Sequence, residues 1–518
     1  MFIRLPILFF LAAAAVFAAE TNYDVVVYGG TPGGVAAAVA AAREGASVIL
    51  LEEKQHVGGL TTSGLCNSEV VHMQAWTFSG ISGEFYQRLA KAYGKPGLLH
   101  TWESKVAQKV FDEMLAEAKV TIRYKQRIDK AEKNGARIVR ITLTDGSQIA
   151  GKVFIDCSYE GDLMARAGVS STFGRESKEQ YGEELAGVRL SDKPVRAKTR
   201  DEKGQLLPGI IATADQLKAS AADPLVQNYN FRLTMTKDPQ NKVPFPKPKS
   251  YDPQRYTLLA NYLVEHPHTK FSDIVAYWPI APGKFEANNH QAAVISLGHF
   301  GGQRGYPEGD YAARDRIYQD HVDYTQGLFW FTQHDPRSTE ALRKQTAEWG
   351  LAKDEFVDND NWPYYLYIRE ARRMLGAYVM TQKDVQTDRK KPDSIGLGSH
   401  YIDCHHVQRV AVSDTEFCNE GRLWVVGKVY EIPYRALTPK PTECENLLVP
   451  VAASFSHVAF CPYRLEPTWM AAGHASGVAA TIAAKANSAI QNVEMAALQA
   501  KLAAQGQLLR LKDGDEGK

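Results

Sequence analysis

Three histidines and one arginine in the C-terminal part of the chain are of the types that proton transfer and anion binding need. His405 and His406 follow Asp403 in the stretch "SHYIDCHH". Because a neighbouring carboxylate can fix the tautomer of an imidazole and raise its basicity, the Asp403-x-His405 spacing indicates a proton acceptor. His457 in "SFSHVAF" is a rival acceptor, and Arg464 is a candidate to hold an anion. All four also admit an ordinary interpretation as structural, exposed or salt-bridged side chains.

Such groups need a scaffold that brings a reactant to them, and the N-terminal stretch "YDVVVYGGTPGGVAAAVAAAREGASVILLEE" predicts one. Residues 25–27 read as a buried parallel strand, residues 33–43 as a helix with a small-residue face, and residues 47–51 as a second strand. A strand, a Gly-rich turn, a helix and a strand within about 30 residues form the βαβ unit that binds dinucleotides. The turn that would hold the pyrophosphate consists of Gly29, Gly30, Thr31, Pro32, Gly33 and Gly34.

The turn departs from the G-x-G-x-x-G pattern at Thr31, which stands where the middle glycine belongs. Gly30 and Gly33 flank it, so the backbone can still approach a pyrophosphate at the helix N-terminus. The Thr31 hydroxyl could also donate to a phosphate oxygen. Glu52, at the end of the second strand, is predicted to accept hydrogen bonds from a ribose. The alternative is that Glu52 is an exposed charge after a strand.

The next stretch, "EEKQHVGGLTTSGL", favours FAD over NAD as the dinucleotide. It resembles a second flavoprotein signature, R-x-G-G-R-x-x-S/T. Gly58, Gly59 and Ser63 match that signature, whereas His56 and Leu60 replace its arginines. Two glycines after the acid let the chain double back along the flavin half of the dinucleotide. The alternative is an ordinary Gly-rich loop.

Residues 119–162 are predicted to supply a third segment of the dinucleotide site. They read as a strand, a β-meander that turns at Asp145–Gly146, and another buried strand. The segment resembles flavoproteins of the glutathione-reductase type, in which such a strand ends in a turn against the dinucleotide. Asp156 and Asp162, at the end of that strand, are the predicted cofactor contacts. Cys157, between them, is interpreted as a buried residue of the strand.

A fourth segment lies near the C-terminus, in "NLLVPVAASFSHVAFCPYRLEPTWMAAGHASGVAATIAA". Residues 447–451 read as a short strand, and Pro467 suits the first position of the helix that follows. Small residues keep this helix thin, so its N-terminus, with about half a positive charge, can point at the flavin pyrimidine ring. Pro467 and Thr468 are therefore predicted cofactor contacts. The alternative is a buried Ala-rich helix without a role at the cofactor.

These stretches resemble a family of FAD-dependent oxidoreductases that have a glutathione-reductase-type FAD domain and occur as exported bacterial proteins. The resemblance also rests on "DYTQGLFWFTQHDP", "YIREARRMLGAYVMTQKD" and "YEIPYRAL", and it runs almost from end to end. The threonine in the Gly-rich turn is similar to a variant that is common in this family. The resemblance implies FAD as cofactor and an α/β fold, in which a Rossmann-type domain has a central parallel sheet and a β-meander.

The expected domain organisation is discontinuous. Residues 20–172 and 395–485 are expected to form the FAD-binding domain, and residues 173–394 an inserted α+β cap over the substrate site. Residues 486–518 are expected to form a C-terminal helix and a disordered tail.

The cap carries further candidates. Its pattern predicts helices over residues 312–333 and 341–350. Aromatic residues at 362–367 could stack on a sugar ring or simply pack. A third predicted helix then carries three arginines, which are expected either to bind an anion or to be solvated: Arg369, Arg372 and Arg373.

Composition argues against several classes of protein. The chain of 518 residues has a formal net charge of +1 and no basic block, so nucleic acid is a poor partner. No cysteine or histidine spacing typical of a zinc site occurs, and no metal is predicted. Six cysteines in a chain of this length are not a disulfide scaffold, although Cys404 with Cys418, or Cys444 with Cys461, could pair.

Residues 1–19 read as a secretory signal peptide. One positive charge precedes an apolar stretch of 13 residues, and small residues follow before a cleavage point after Ala18 or Ala19. A bilayer span needs roughly 20 apolar residues, so no integral membrane segment is expected after cleavage. The protein is thus expected to be exported, either to the periplasm or out of the cell.

The expected function is FAD-dependent oxidation of a polar small molecule, such as a sugar, polyol or sugar acid. Hydride would pass to flavin N5, and the electron acceptor is unknown. Two other classes stay open. One is flavin-dependent elimination on a glycan, and the other is a non-catalytic binding protein that contains FAD.

Overall fold

A computed structural model describes residues 21–190, 193–291 and 293–512 of the chain. The predicted signal peptide, residues 1–19, and the end of the predicted tail, residues 513–518, lie outside the described residues. Among the helices of the described ranges, none combines the length and the apolar character that crossing a membrane requires.

Strands and helices alternate in the first third of the chain. Its strands are β1 (Thr21–Tyr28), β2 (Val48–Leu51), β3 (Thr121–Arg123), β4 (Ile128–Asn134), β5 (Arg137–Leu143), β6 (Gln148–Asp156) and β7 (Ser171–Thr172). Its helices are α1 (Pro32–Arg43), α2 (Gly80–Ala92), α3 (Ser104–Glu117) and α4 (Asp162–Arg166).

The rest of the chain continues with shorter strands. They are β8 (Val195–Arg196), β9 (Ala212–Thr213), β10 (Leu233–Thr236), β11 (Lys242–Val243), β12 (Val275–Ala281), β13 (Lys284–Asn289), β14 (Gly350–Ala352), β15 (Arg373–Met374), β16 (Ser394–Gly398), β17 (Ile402–Cys404), β18 (Gln408–Ser413), β19 (Glu416–Glu420), β20 (Leu423–Val425), β21 (Tyr430–Pro433) and β22 (Leu447–Leu448). The helices are α5 (Lys178–Tyr181), α6 (Thr257–Glu265), α7 (Phe271–Ile274), α8 (Tyr311–His334), α9 (Glu340–Ala347), α10 (Gln382–Gln386), α11 (His457–Tyr463), α12 (Glu466–Ala486) and α13 (Met495–Ala504).

The main sheet has the order β3-β2-β1-β6-β5-β4, and β22 also pairs with β6. Neighbouring strands from β3 to β6 run parallel, as does β22, whereas β6, β5 and β4 form the predicted antiparallel meander. Val25, Val26 and Val27 in β1 are completely buried, as in a strand covered on both faces. The chain therefore has the predicted α/β class with a parallel-containing sheet.

Helix α12 lies along α1 and brings the C-terminal segment to the N-terminal turn. A Cβ atom on Gly473 would lie 2.0 Å from the Gly33 carbonyl oxygen, and one on Gly477 would lie 2.2 Å from that of Ala37. Only glycine permits so close an approach of two helices. The predicted thin helix thus packs directly against α1.

The middle of the chain builds a second, antiparallel sheet in the order β11-β14-β10-β13-β12. The helices predicted over 312–333 and 341–350 are present as α8 and α9. A four-stranded sheet joins β8 and β9 to β18 and β19. Strands from the range expected for the cap therefore pair with strands from the range expected for the FAD-binding domain.

Two expectations fail in this part of the molecule. Residues 362–378 contain no helix, only the short strand β15 that pairs with β7. Arg369 and Arg373 are fully buried and bind groups from distant segments, so tertiary contacts override the local helical pattern. All six cysteines lie in the described ranges and are buried free thiols, so neither suggested disulfide forms.

Candidate active site

The Gly-rich turn after β1 is held together by Thr31, the N-cap of α1. Its hydroxyl accepts a hydrogen bond from the Gly34 N–H (3.2 Å) and donates to the Cys157 carbonyl (2.9 Å). The one proton of the Thr31 hydroxyl is therefore donated within the protein, and the structure does not support its expected donation to a phosphate. Gly29 has a φ of +95°, and a Cβ there would lie 2.5 Å from Ser158 N, so the turn requires glycine at that position.

Glu52 is buried against this turn, which excludes the alternative of an exposed charge. Its Oε2 accepts from Gly30 N (2.7 Å), and its Oε1 accepts from Lys54 N (2.5 Å) and from the Tyr365 hydroxyl. Burial raises the pKa of Glu52 above its ordinary value. The Tyr365 hydroxyl thus binds one of the two carboxylate oxygens, and the contact of Glu52 with a ribose stays a prediction.

The second Gly-containing segment folds onto the first. Gly58 N donates to the Gly30 carbonyl (2.6 Å), and Ser63 Oγ accepts from Tyr365 N (2.9 Å). A Cβ on Gly59 would lie 2.1 Å from the Tyr159 hydroxyl. The two segments that the sequence assigns to the dinucleotide are therefore neighbours in space.

The start of α12 already interacts with a carboxylate. Glu466 N donates to Glu69 Oε1 (2.5 Å), and Glu466 Oε1 accepts from the Tyr159 hydroxyl (2.5 Å). Pro467 lies in the first turn of the helix, as predicted. Burial raises the pKa of Glu69 to about 7, and burial together with Glu69 raises the pKa of Glu466 well above its ordinary value. This helix end therefore binds an anionic group.

Asp156 and Asp162 have partners within the protein. Asp156 accepts from Ser158 N (3.0 Å), Ser158 Oγ (2.7 Å) and Met164 N (2.8 Å), and thereby shapes the turn into α4. Asp162 pairs with Arg314 (2.8 Å) and Arg372 (3.1 Å). Burial disfavours its charge, but the arginines outweigh burial and lower the pKa of Asp162. These contacts account for both carboxylates without a cofactor, and their contact with FAD stays a prediction.

A cavity of about 510 Å³ lies between the segment that follows Ser63 and the residues that precede α12. Trp278 and Trp424 contribute flat aromatic surface. Its charged and polar lining consists of Ser68, Glu69, His72, Arg232, Asn288, Asn289, His290, Gln291, Tyr367, His400, Asp403, His405, Arg422 and Arg464. Among the four candidate catalytic residues, His405 and Arg464 line this cavity, and His406 and His457 do not.

His405 has the carboxylate contact that the sequence predicted. Its Nε2 lies 3.4 Å from Asp403 Oδ2, and its Nδ1 lies 2.9 Å from the Gln291 side-chain nitrogen. Burial, together with the positive charge of Arg369, lowers the pKa of His405 well below its ordinary value, although Asp403 opposes this. His405 is therefore neutral at neutral pH and has a lone pair that can accept a proton.

The comparison with protein families decides the cofactor. A family model described as "FAD dependent oxidoreductase" matches residues 24–502. The chain belongs to this family. FAD is accordingly its cofactor, and the protein is an FAD-dependent oxidoreductase.

No curated protein matches this FAD-dependent oxidoreductase. Among solved structures, a 3-ketosteroid-delta4-(5alpha)-dehydrogenase from Rhodococcus jostii RHA1 is similar at 16% identity over 29% of this chain and 48% of its own (TM-score 0.20). A thioredoxin reductase from T. acidophilum is similar at 23% identity over 26% and 35% (TM-score 0.18). An L-proline dehydrogenase from P. horikoshii is similar at 13% identity over 30% and 59% (TM-score 0.24). The chain spans between 35% and 59% of the length of these proteins.

The residues at the start of α12 fit the flavin end of FAD. Buried polar groups normally have hydrogen-bond partners. Four buried side-chain atoms here have none within the described residues, and a flavin ring edge offers both donors and acceptors. These atoms are Glu69 Oε2, Glu466 Oε2, Thr468 Oγ1 and Trp469 Nε1.

His457 is poorly suited to accept a proton in this oxidoreductase. Its Nδ1 lies 2.9 Å from Glu370, and its Nε2 lies 3.4 Å from Cys404 Sγ. Burial lowers its basicity, but Glu370 outweighs burial and raises the pKa of His457 to about 10. The imidazole is therefore protonated at neutral pH. His406 does not line the cavity; its carbonyl accepts from Asn228 Nδ2 (2.6 Å), and its ring centroid lies 6.0 Å from that of Phe300.

Most of the cavity lining was not singled out from the sequence, and Glu69 and Arg232 are two examples. Glu69 follows the second Gly-containing segment, in a stretch without a recognisable motif. Arg232 stands in "YNFRLTMT", where a cation beside aromatic and β-branched residues of a strand is the one available signal. Tyr367 belongs to the aromatic stretch that was expected to stack on a sugar or to pack.

Proposed function

We propose that this FAD-dependent oxidoreductase oxidises an alcohol group of a polar small molecule, of the class of sugars, polyols and sugar acids, and that the 510 Å³ cavity holds the substrate. The observation that carries the proposal is the position of His405 and Arg464 in one cavity. That cavity borders both the segment after Gly58–Ser63 and the segment before α12, which are the parts of the chain expected at the flavin.

Bound FAD supplies a two-electron acceptor for the hydride that leaves the substrate carbon. The chain has to supply orientation and a proton acceptor. His405 is neutral, so it can take the hydroxyl proton, and the imidazolium that results is stabilised by Asp403 at 3.4 Å. The indole of Trp278 or Trp424 offers a surface on which a sugar ring can stack while water is excluded.

Glu69 is the rival proton acceptor, because a carboxyl group with a pKa of about 7 is close to the value that proton transfer at neutral pH favours. It lines the same cavity and is bonded to the first N–H of α12. Either group takes one proton per oxidised alcohol.

The test is anaerobic mixing of FAD-loaded protein with a panel of sugars, polyols and sugar acids, followed by visible absorbance. Loss of the absorbance of oxidised flavin is expected for at least one compound. An unsaturated product without net loss of absorbance would instead favour elimination on a glycan. A panel that produces neither change would favour the non-catalytic binding protein.

We further propose a discontinuous Rossmann-type FAD domain of the glutathione-reductase type, formed by residues 20–172 and 395–485, with residues 173–394 as a cap. Support comes from β22, which pairs with β6, and from the packing of α12 on α1.

Export is proposed from the signal-like pattern of residues 1–19 alone. Expression with residues 1–19 deleted tests it, and folded, flavin-loaded protein in the cytoplasm is expected.

A further inference from the structure

Three arginines surround one tyrosine ring beside the cavity. The guanidinium carbons of Arg232, Arg369 and Arg464 lie 5.1, 4.5 and 5.8 Å from the centroid of the Tyr367 ring. All three side chains are buried, with Arg232 only 3% exposed. Burying a guanidinium is costly unless anions and hydrogen-bond acceptors surround it, so the partners of each arginine decide what the cluster is for.

Arg369 and Arg464 are bound mainly to protein groups. Arg369 donates to the Asn228 carbonyl and to the side-chain oxygens of Asn230 (2.8 Å) and Asn289 (3.0 Å), all of which are neutral. Arg464 donates to the Tyr367 hydroxyl (2.9 Å) and to Asp403, through its carbonyl (2.9 Å) and Oδ2 (3.3 Å). Only the Nε atom of each has no partner within the described residues. These two arginines are therefore largely fixed in place.

Arg232 is different. Its Nε and its Nη1 both lack a hydrogen-bond partner among the described residues, although both atoms are buried. The nearest carboxylate, Glu286, is 3.9 Å from Nη1 and is occupied by the N–H groups of Cys66 (2.9 Å) and Asn67 (2.7 Å). Burial lowers the pKa of Arg232, as it does that of Arg369, so the two unpaired nitrogens are what distinguish Arg232. Arg232 also lines the cavity, so a ligand there can reach it.

While Glu69 is protonated, the charges that face the cluster leave an excess of one positive charge. Three buried arginines face two carboxylates, Asp403 and Glu286. Glu69 adds a partial negative charge only as pH passes its pKa of about 7.

Two further titratable rings on the cavity, those of His72 and His400, do not change this balance. Burial lowers the pKa of His72, and it lowers the pKa of His400 to about 4, so both rings are neutral at pH 7. Arg422 lies at a partly exposed position, where water screens its charge. A monoanion therefore balances the cluster, whereas a dianion exceeds the balance and meets three acidic side chains.

We propose that the substrate carries a carboxylate and that Arg232 binds it within the cavity. This inference rests on the proposed function and narrows the substrate class to acids, such as sugar acids, over neutral sugars and polyols. A carboxylate is a monoanion with two acceptor oxygens, and it pairs well with the open N–H groups of a guanidinium. It also reduces the positive field of Arg369 and Arg464 at His405, which favours proton acceptance there.

The experiment compares acids with neutral partners of the same size. FAD-loaded protein is titrated anaerobically with D-glucuronate and D-glucose, with D-gluconate and D-glucitol, and with L-lactate and propane-1,2-diol. D-glucose 6-phosphate is titrated as the dianion. Perturbation of the flavin absorbance reports binding without requiring turnover, and loss of absorbance reports oxidation. In at least one pair the acid is expected to bind about 10- to 100-fold more tightly than its partner.

Arg232→Gln is expected to remove that preference, and Arg232→Lys to restore part of it, while FAD content stays at the wild-type level. Arg200→Gln, which changes a partly exposed arginine that does not line the cavity, is the control. If the glutamine variant does not fold, the preference of the unaltered protein within each pair still decides the question.

Three results overturn the inference: equal affinity within every pair, equal loss for acid and neutral partner in Arg232→Gln, or a preference for glucose 6-phosphate over the acids. Acids that bind tightly without any change in flavin oxidation state support the carboxylate site and contradict the proposed oxidation. The two proposals can therefore fail separately.

Discussion

The Gly-rich turn after β1 and the 510 Å³ cavity, which we propose as the dinucleotide and substrate sites, are built in opposite ways. The turn uses backbone groups and glycines that lie close together in sequence, and its one acid, Glu52, has all its oxygens bonded to N–H and O–H groups. The cavity uses long charged side chains from distant segments, including Arg232, His405 and Arg464. Several of their polar atoms have no partner within the described residues.

This difference fits the roles proposed for the two regions, which are binding of FAD by the turn and binding of the substrate by the cavity. A dinucleotide presents the same phosphates in every protein of this kind, so a rigid, satisfied backbone cradle suffices. A site that binds a charged substrate needs charged groups that have no partner within the protein. Such unpaired charges lower the folding stability of the protein until the ligand binds. Substitutions at the turn are therefore expected to affect folding and FAD content, and substitutions in the cavity to affect the reaction.

The largest effect is expected from Gly34→Ala. The new Cβ would lie 1.9 Å from the Gly29 carbonyl oxygen, so β1 and α1 cannot keep their positions. A loss of about 4 kcal/mol or more in the free energy of unfolding, with loss of FAD, is expected from thermal and denaturant unfolding. The control is Gly135→Ala, where no atom lies within 4 Å and only the positive φ opposes alanine. Equal losses in the two variants would show that the turn is not tightly packed.

The second effect concerns the cavity. His405→Ala is expected to slow flavin reduction about 10²- to 10⁴-fold, because the hydroxyl proton loses its acceptor, while FAD stays bound. Rapid mixing under anaerobic conditions measures the rate. His406→Ala and His457→Ala are the matched histidine controls, because neither residue lines the cavity. An unchanged rate in His405→Ala together with a slow Glu69→Gln would assign the proton to Glu69.

The third effect is expected at the acid of the turn. Glu52→Ala removes a charge-assisted hydrogen-bond acceptor and should weaken FAD binding by about 1.5–3 kcal/mol. Flavin release during dialysis measures this. Its neighbour Glu53, which pairs with Arg127 at 2.7 Å and is partly exposed, is the matched control, with an expected change below about 1 kcal/mol. Full flavin retention in Glu52→Ala would contradict a role for Glu52 at the ribose.

The effect that is smallest per unit of the variable changed is a pH dependence of stability in the FAD-free protein. The pKa of Glu69 is raised to about 7 in the folded state from an ordinary value of 4.5, so the folded state binds more protons than the unfolded state between these values. Its contribution to stability is therefore present at low pH and declines as pH rises towards 7, by at most about 1.4 kcal/mol per pH unit. Glu69→Gln should flatten this slope in unfolding curves measured from pH 5 to 8. A slope that survives the substitution belongs to other groups.

The same contrast explains what could be predicted from sequence. The strand at residues 25–27, the helix that follows and the meander at Asp145–Gly146 occur as predicted, because hydrophobic period and turn residues are local signals. Asp403 and His405 also make their predicted contact, since residues separated by a single position stay close in space.

The wrong predictions concern side chains whose positions depend on contacts with distant parts of the chain. The segment around Arg369 and Arg373 has a helical charge pattern, yet both side chains are drawn into buried contacts from other parts of the chain. The Thr31 hydroxyl turns to the Cys157 carbonyl, which is distant in sequence and could not be anticipated. Arg232 has no motif around it in the sequence, and only the tertiary structure places its unpaired nitrogens beside the cavity.

The most direct test of the cavity as the substrate site is to fill it. Ala276 on β12 lines the cavity, whereas Ala281 at the end of the same strand does not. With any compound that reduces the flavin of the unaltered protein, Ala276→Trp is expected to retain FAD and its visible spectrum but to lose flavin reduction, and Ala281→Trp to keep it. Reduction at the unaltered rate in a folded, flavin-loaded Ala276→Trp would contradict the assignment of this cavity to the substrate.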